Sequence, residues 1–297
     1  MDLENYLRPQ LLYKTIILAA GRGSRLWPST AVTNKQLLPI FDKPMIYYTL
    51  SLAMLAGSRE IEIIVNPHEI EQFKLLLRDG SQFGISIKML IQVKPNGIAD
   101  AFNISQQSKE PTLLLLGDNL LYGVGLGESL STQFSGDGAL MFTYPVSNPS
   151  DYGIANIVDG KIISIEEKPE NPNTNLAIPG IYFFDQQVFN FVKEIKPSKR
   201  GELEITDILK KYLEIGKLNF KNLERGTAWL DTGSAKTMQS ASEFIKVIEE
   251  RQGFKIGCPE EVAFRMGFIS KNDFKNLIDS YPSGEYKTYL NNLVYYL

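Results

Sequence analysis

The sequence predicts an α/β fold: a doubly wound, mostly parallel sheet with a mixed β extension and C-terminal helices. Three observations carry this reading. The apolar, β-branched run Thr15-Ile16-Ile17-Leu18 opens directly into a loop of small residues. Strand-like and helix-like stretches then alternate as far as residue 116. A second continuous apolar run, 112–116, stops at Gly117-Asp118-Asn119. Strands apolar on both faces belong to parallel sheets covered by helices on both sides.

Residues 1–13 precede the first strand and read as an extension. Apolar periodicity then gives a helix over 44–56, strand 60–65, helix 70–77, strand 86–91, helix 98–107 and strand 112–116. Right-handed crossovers bring the carboxyl ends of such strands to one edge, where ligands bind. Gly21-Arg22-Gly23 and Asp118 therefore share that edge. The second half is strand-rich, at 139–145, 154–158, 161–166 and 180–184, with Asp159-Gly160 as a hairpin turn. This half is expected to cover the cleft and take a second substrate. Helices follow over 204–213 and 240–251. In the latter, Phe244, Ile245 and Ile248 form an apolar face opposite Glu249, Glu250 and Arg251, the pattern of a packing helix. The organisation is thus an extension (1–13), a main unit (14–240) and a helical segment (241–297).

Composition narrows the chemistry. A chain of 297 residues with a net charge of −3 has no general attraction for polyanions, so nucleic acid is not an expected partner. Cys258 is the only cysteine and His68 the only histidine. An intrachain disulfide is excluded, and histidine-based triads and zinc sites lose their main ligand, whereas Mg²⁺ held by carboxylates stays open. The sequence shows no secretory signal and no apolar run of bilayer length, so a soluble, cytoplasmic protein without membrane attachment is expected.

The loop Leu18-Ala19-Ala20-Gly21-Arg22-Gly23-Ser24-Arg25-Leu26, followed by Lys35-Gln36-Leu37-Leu38-Pro39, reads as a triphosphate cradle. Backbone N–H groups converge in such turns, and Arg25 and Lys35 add full charge. The spacing matches neither the P-loop nor the dinucleotide fingerprint, which needs a third glycine. An ordinary glycine turn remains the alternative on this loop alone. Asp118 and Asp231 each follow an apolar or aromatic run and precede small or polar residues. Two such carboxylates with substrate phosphate oxygens suit Mg²⁺, although either alone reads as a turn residue. Gln92-Val93-Lys94-Pro95-Asn96-Gly97 offers a side-chain amide and loop backbone to a base edge. The charged runs Glu166-Glu167-Lys168-Pro169 and Pro197-Ser198-Lys199-Arg200-Gly201-Glu202 could serve a phosphorylated ligand or simply be solvated surface.

Together these segments resemble the glucose-1-phosphate thymidylyltransferase family of sugar nucleotidyltransferases, collinearly from about Thr15 onward. Besides the glycine loop and Lys35 block, the resemblance rests on Lys43-Pro44-Met45-Ile46-Tyr47-Tyr48, Gly117-Asp118-Asn119 and Glu167-Lys168-Pro169. Arg200-Gly201-Glu202-Leu203-Glu204-Ile205-Thr206-Asp207, Trp229-Leu230-Asp231-Thr232-Gly233, Glu249-Glu250-Arg251-Gln252-Gly253 and Cys258-Pro259-Glu260-Glu261 extend it. The resemblance implies a Rossmann-like nucleotidyltransferase fold, a homotetramer, and Mg²⁺-dependent reaction of dTTP with glucose 1-phosphate to give dTDP-glucose and pyrophosphate. It implies that Arg25 and Lys35 handle the triphosphate beside Ala20, Gly21 and Gly23. Asp118 and Asp231 would hold the metal, Lys168 and Arg200 the sugar phosphate, Gln92 and Gly97 the base, and Gly153 and Glu167 the sugar.

Departures from the family pattern bear on specificity. Ala20 stands in place of a glycine, Val93-Lys94 of Pro-Ser, Asp100 of a glutamine and Pro179 of a threonine. The resemblance also implies a second nucleotide-sugar site associated with feedback control, near Tyr122-Gly123 and Cys258-Pro259-Glu260-Glu261. There Val124-Gly125 replaces His-Asp, and weaker binding of the pathway end product, dTDP-rhamnose, is expected; the alternative is a loop substitution without ligand contact. The competing readings are a relative using UTP or another sugar 1-phosphate, and a nucleotide-sugar binding protein without turnover. A Rossmann oxidoreductase would need the complete glycine fingerprint, which is absent.

Overall fold

The computed structural model describes residues 13–296; the extension expected over 1–13 lies, except for Tyr13, outside them. The chain begins with β1 (Lys14–Leu18), a small ribbon of β2 (Pro39–Ile40) and β3 (Lys43–Pro44), and helix α1 (Ile46–Leu55). It continues through β4 (Glu60–Val65), α2 (Ile70–Leu77), β5 (Ser86–Ile91), the short α3 (Ala101–Ile104) and β6 (Thr112–Leu116). β1 pairs in parallel with β4 on one side and β6 on the other, and β4 pairs in parallel with β5. The chain therefore winds outward from β1 to β5 and returns to β6, which makes the β1/β6 boundary the topological switch point where a ligand crevice opens.

Alternation within the strands shows why both faces are covered. Ile17, Leu113 and Leu115 join one buried cluster with Leu50, Met54 and Phe73, while Ile16 and Leu114 join another with Phe102, Ile208 and Tyr212. Successive side chains point to opposite faces of a strand, so a run apolar at every position needs a core on each side.

The second half comprises β7 (Asn119–Tyr122), α4 (Leu126–Thr132), β8 (Ala139–Pro145), β9 (Gly153–Val158), β10 (Lys161–Glu167), β11 (Leu176–Ala177) and β12 (Ile181–Phe184). α5 (Val188–Glu194), α6 (Ile205–Glu214), β13 (Leu218–Asn222) and β14 (Ala228–Asp231) follow. β12 inserts antiparallel between β6 and β8, and the large sheet runs β10-β9-β11-β8-β12-β6-β1-β4-β5, with β13 parallel to β8. The hairpin between β9 and β10 turns at Asp159 (φ 49°) and Gly160 (φ 72°), as expected for that pair. Helices α7 (Ala235–Gln252), α8 (Pro259–Arg265), α9 (Lys271–Asp279) and α10 (Glu285–Tyr296) end the chain. No helix of the described residues is long and apolar enough to cross a membrane.

Three expected helices change their bounds for local reasons. The helix expected over 44–56 starts at Ile46, because Lys43 and Pro44 pair with Ile40 and Pro39. The one expected over 98–107 shrinks to Ala101–Ile104. At its start the Ala99 N–H donates to the Leu203 carbonyl at 3.1 Å; at its end Ser105 is extended, its hydroxyl bonded to Glu62 at 2.6 Å. The helix expected over 240–251 begins at Ala235, where Ser234 and Thr237 form a capping box. Residue 240 consequently lies inside α7.

Candidate active site

The first wall of the crevice is the loop after β1. Ala19 N–H still bonds to Ile64 O at 2.8 Å, and Ala20 is buried in the core beside Ile16, so Ala20 offers a ligand only its backbone. Gly21 is exposed with open space where a Cβ would stand. Gly23 lies at φ +59°, and a Cβ there would meet Thr30 Cγ2 at 2.7 Å, so conformation and space both require glycine. The 3₁₀ turn Ser24–Leu26 then presents Arg25 in an exposed position.

Lys35 lies on a second short turn that Asn34 fastens. Asn34 Oδ1 accepts from Gln36 N at 2.7 Å, while its Nδ2 donates to Ala19 O at 2.8 Å and to Glu69 Oε2 at 2.5 Å. The Lys35 chain is thereby fixed to the glycine loop, and its buried ammonium donates to Asp118 Oδ2 at 2.7 Å. Sequence reasoning passed over Asn34, whose N-cap chemistry beside Lys35 was the available signal.

Asp118 follows β6, and Asp231 ends β14. The ribbon of β7 and β14 is antiparallel with Asp231 opposite Asn119, which brings the second aspartate to the residue next to the first. Thr232 Oγ1 closes the junction by donating to the Asp118 carbonyl at 2.9 Å. Asn119, also missed as a site residue, donates to Asp118 Oδ1 at 3.1 Å and accepts from Trp229 Nε1 at 2.7 Å and Gly180 N at 3.1 Å. A Cβ on Gly233 would lie 3.0 Å from Asp231 Oδ1 and 3.1 Å from Arg25 Nη2, so this guanidinium and carboxylate flank one point. Asp118, next to the ribbon, and Asp231, at its end, each offer hard oxygen donors of the type that Mg²⁺ takes together with phosphate oxygens and water.

The second wall is built from β9, β10 and the segment before α6. Gly153 lies opposite Glu167 in the β9/β10 register, and a Cβ there would meet Thr206 Cγ2 at 3.0 Å. Glu167 accepts from Thr206 Oγ1 at 3.2 Å and faces Arg200 Nη1 at 3.4 Å. Burial holds the Glu167 carboxyl above the usual carboxylate range, with the charge of Glu204 acting in the same direction and Lys168, Thr206 and Arg200 opposing it. Arg200 also pairs with Glu202 at 2.9 Å and Glu204 at 3.7 Å. Lys168 is exposed at φ +43°, its N–H donated to the Tyr152 carbonyl at 3.1 Å. Tyr152 in turn stacks at a tilt 5.0 Å from the Trp229 ring, joining this wall to the aspartate ribbon. A cavity of about 400 Å³ is lined by Glu167, Ser198, Arg200, Glu204 and Lys210.

The third wall follows β5. Gln92 is buried, and Gly97, at φ +105°, packs against the backbone of Leu203, which bonds to the loop at both Asn96 O (2.6 Å) and Ala99 N (3.1 Å). The loop after β5 and the Arg200 loop are thus one piece. A separate cavity of about 390 Å³ gathers Tyr122, Gly123, Val124, Lys255, Cys258, Glu261 and Arg265, with Val124 fully exposed.

The nucleotidyl transferase family matches residues 14–247. A glucose-1-phosphate thymidylyltransferase of Xanthomonas campestris pv. campestris (strain B100) is 45% identical over 284 residues, covering 94% of this chain and 96% of the relative. One from Mycolicibacterium smegmatis is 44% identical over 282 residues, covering 94% and 98%. Among solved structures, a Bacillus anthracis protein provisionally assigned as glucose-1-phosphate thymidylyltransferase, in complex with sucrose, superimposes with a TM-score of 0.72 at 37% identity. It covers 78% of this chain and 94% of its own. A UDP-glucose pyrophosphorylase complexed with UDP-glucose gives 0.69 at 25% identity, covering 80% and 99%.

Proposed function

We propose a function from one premise: the chain belongs to the nucleotidyl transferase family and, within it, to the glucose-1-phosphate thymidylyltransferases. It transfers the nucleotidyl group of dTTP to glucose 1-phosphate. A phosphate oxygen of the sugar forms the new bond to the α-phosphorus as the bond to the departing pyrophosphate breaks in line. Catalysis of this kind rests on positioning and charge neutralisation, so no histidine base is required. The observation that carries the reading is the Lys35–Asp118 pair at 2.7 Å, with Asp231 opposite Asn119, at the carboxyl edge of the switch point.

The loop of Ala20, Gly21 and Gly23, with Arg25 and Lys35, takes the triphosphate. Because Lys35 is buried, its charge acts through a less screening medium and bears more strongly on the departing pyrophosphate. Asp118 and Asp231 would hold Mg²⁺, which would supply neutralisation of phosphate charge. Gln92 and Gly97 meet the base, Gly153 and Glu167 the sugar hydroxyls, and Lys168 and Arg200 the sugar phosphate. Arg200 must exchange part of its carboxylate pairing for that phosphate, which its exposed position permits. A homotetramer in the cytoplasm belongs to the same proposal, testable by mass in solution.

Pyrophosphate release by the purified chain, measured for dTTP, UTP and dCTP against a panel of sugar 1-phosphates with Mg²⁺ or chelator, tests the reading. The expected result is Mg²⁺-dependent release that is fastest with dTTP and glucose 1-phosphate. No release with any pair overturns it. The similarity to a UDP-glucose pyrophosphorylase supports a second reading, in which UTP is preferred, and the same panel separates the two.

A further inference from the structure

Asp100 begins α3 yet makes no cap hydrogen bond to the helix. Its buried carboxyl group instead collects side-chain amides. Oδ2 accepts from Gln92 Nε2 at 3.1 Å and Asn96 Nδ2 at 3.2 Å, and Oδ1 accepts from Asn103 Nδ2 at 3.1 Å. These partners are all donors, the set that an acceptor-only carboxylate requires. The consequence lies in the far ends of the amides. An amide has one donor end and one acceptor end, so an NH₂ held by Asp100 leaves its carbonyl oxygen turned elsewhere. For Gln92, among the described residues, that oxygen has no protein partner, and it is not one of the buried polar atoms sealed from solvent.

We propose that Asp100 is a positioning residue for base selection: it locks the Gln92 amide so that this side chain offers the nucleobase its oxygen and not its NH₂. An amide oxygen accepts from the ring N3–H of thymine or uracil and opposes the N3 lone pair of cytosine. Selection is therefore for an imide-bearing pyrimidine, and this device does not separate thymine from uracil. The inference rests on the proposed placement of Gln92 against the base. Leucine at position 100 keeps the branched shape of the side chain and removes both acceptor oxygens. The Gln92 NH₂ then has no partner there, and the amide is free to turn that end toward the base.

The test combines turnover with direct binding of dTTP and dCTP by calorimetry, for the native protein, Asp100→Leu, Gln92→Ala and the double variant. In Asp100→Leu the dTTP:dCTP preference is expected to fall at least about tenfold in both Kd and kcat/KM. KM for dTTP should rise, while KM for glucose 1-phosphate stays within about twofold. In the Gln92→Ala background the same substitution should leave the preference unchanged, because Asp100 acts through that amide. An unchanged preference in folded Asp100→Leu, or an equal fall with Gln92 absent, overturns the proposal. A native protein that binds dTTP without releasing pyrophosphate refutes the transferase reading and still tests the lock through binding. One that binds neither nucleotide refutes both.

Discussion

Gly97→Ala should uncouple the base loop from the sugar-phosphate loop. Built on the observed backbone, the new Cβ lies 2.5 Å from Leu203 O, 2.6 Å from Leu203 N and 3.0 Å from Glu202 Cβ. Non-bonded heavy atoms settle at about 3.5 Å, so the two loops must part by roughly 1 Å. The parting weakens the Leu203 N to Asn96 O and Ala99 N to Leu203 O bonds, each worth about 1 kcal/mol. A side chain at φ +105° adds strain of about 1–3 kcal/mol. The total is about 3–5 kcal/mol if nothing relaxes, and a misplacement of about 1 Å at a reacting site lowers kcat/KM about 100-fold. Gly160→Ala is the control. It too sits at positive φ, 72°, but with nothing within 4 Å of the new methyl, so it should lose only about 1 kcal/mol and keep its kinetics. Thermal unfolding and pyrophosphate-release kinetics on both variants separate strain from displacement. Equal losses in the two, or native kcat/KM in Gly97→Ala, would refute the coupling of the loops.

Other substitutions probe the remaining groups. Asp118→Asn and Asp231→Asn should each lower Mg²⁺-dependent turnover at least about 100-fold, with the larger fall in Tm in Asp118→Asn, whose neutral amide leaves the buried Lys35 ammonium without the counter-charge now 2.7 Å away; near-native rates in folded variants would exclude the metal role. Arg25→Ala and Lys35→Ala should lower kcat as well as raise KM for dTTP, and a rise in KM alone would reduce them to binding groups. Because the Glu167 carboxyl is held high, the folded state binds its proton more readily than the unfolded chain, so its contribution to stability is present at low pH and lost as pH rises. Glu167→Gln should therefore gain in Tm relative to the native protein between about pH 4 and pH 8, while raising KM for glucose 1-phosphate; a relative gain at the acid end would contradict the sign. Val124 lies fully exposed on the cavity with Tyr122, Glu261 and Arg265, and Val124→His should be inhibited more strongly by dTDP-rhamnose at saturating dTTP; superimposable titrations would remove this position from that site.

The parallel half of the fold is legible because β1 and β6 announce themselves by continuous apolar runs needing a core on both faces, while β4 and β5 show apolar alternation. The β7/β14 ribbon is not legible in the same way. Asn119 and Trp229 are 110 residues apart, and neither short segment has a periodicity that names its partner. The meeting of Asp118 and Asp231 thus came from resemblance to a family, with the register supplying its physical cause. The amides that fasten the loops are obscure for a different reason. Asn34, Asn96 and Asn119 carry the composition of ordinary turns, and a turn asparagine facing water has the same sequence signal as one joining two loops. Simultaneous use separates them, and in Asn34 burial as well: Asn34 is 1% exposed and binds Gln36, Ala19 and Glu69 together, whereas Asn96 is exposed. An amide donates at one end and accepts at the other, so one side chain can hold two loops in a single relative orientation. Arg25, Lys35, Asp118 and Arg200 stand beyond the ends of strands, where no sheet ladder holds them, whereas Asp231 and Glu167 keep ladder partners. Buried amides at the base of those loops supply the rigidity that the sheet cannot, and their loss should be felt in catalysis before it is felt in the fold.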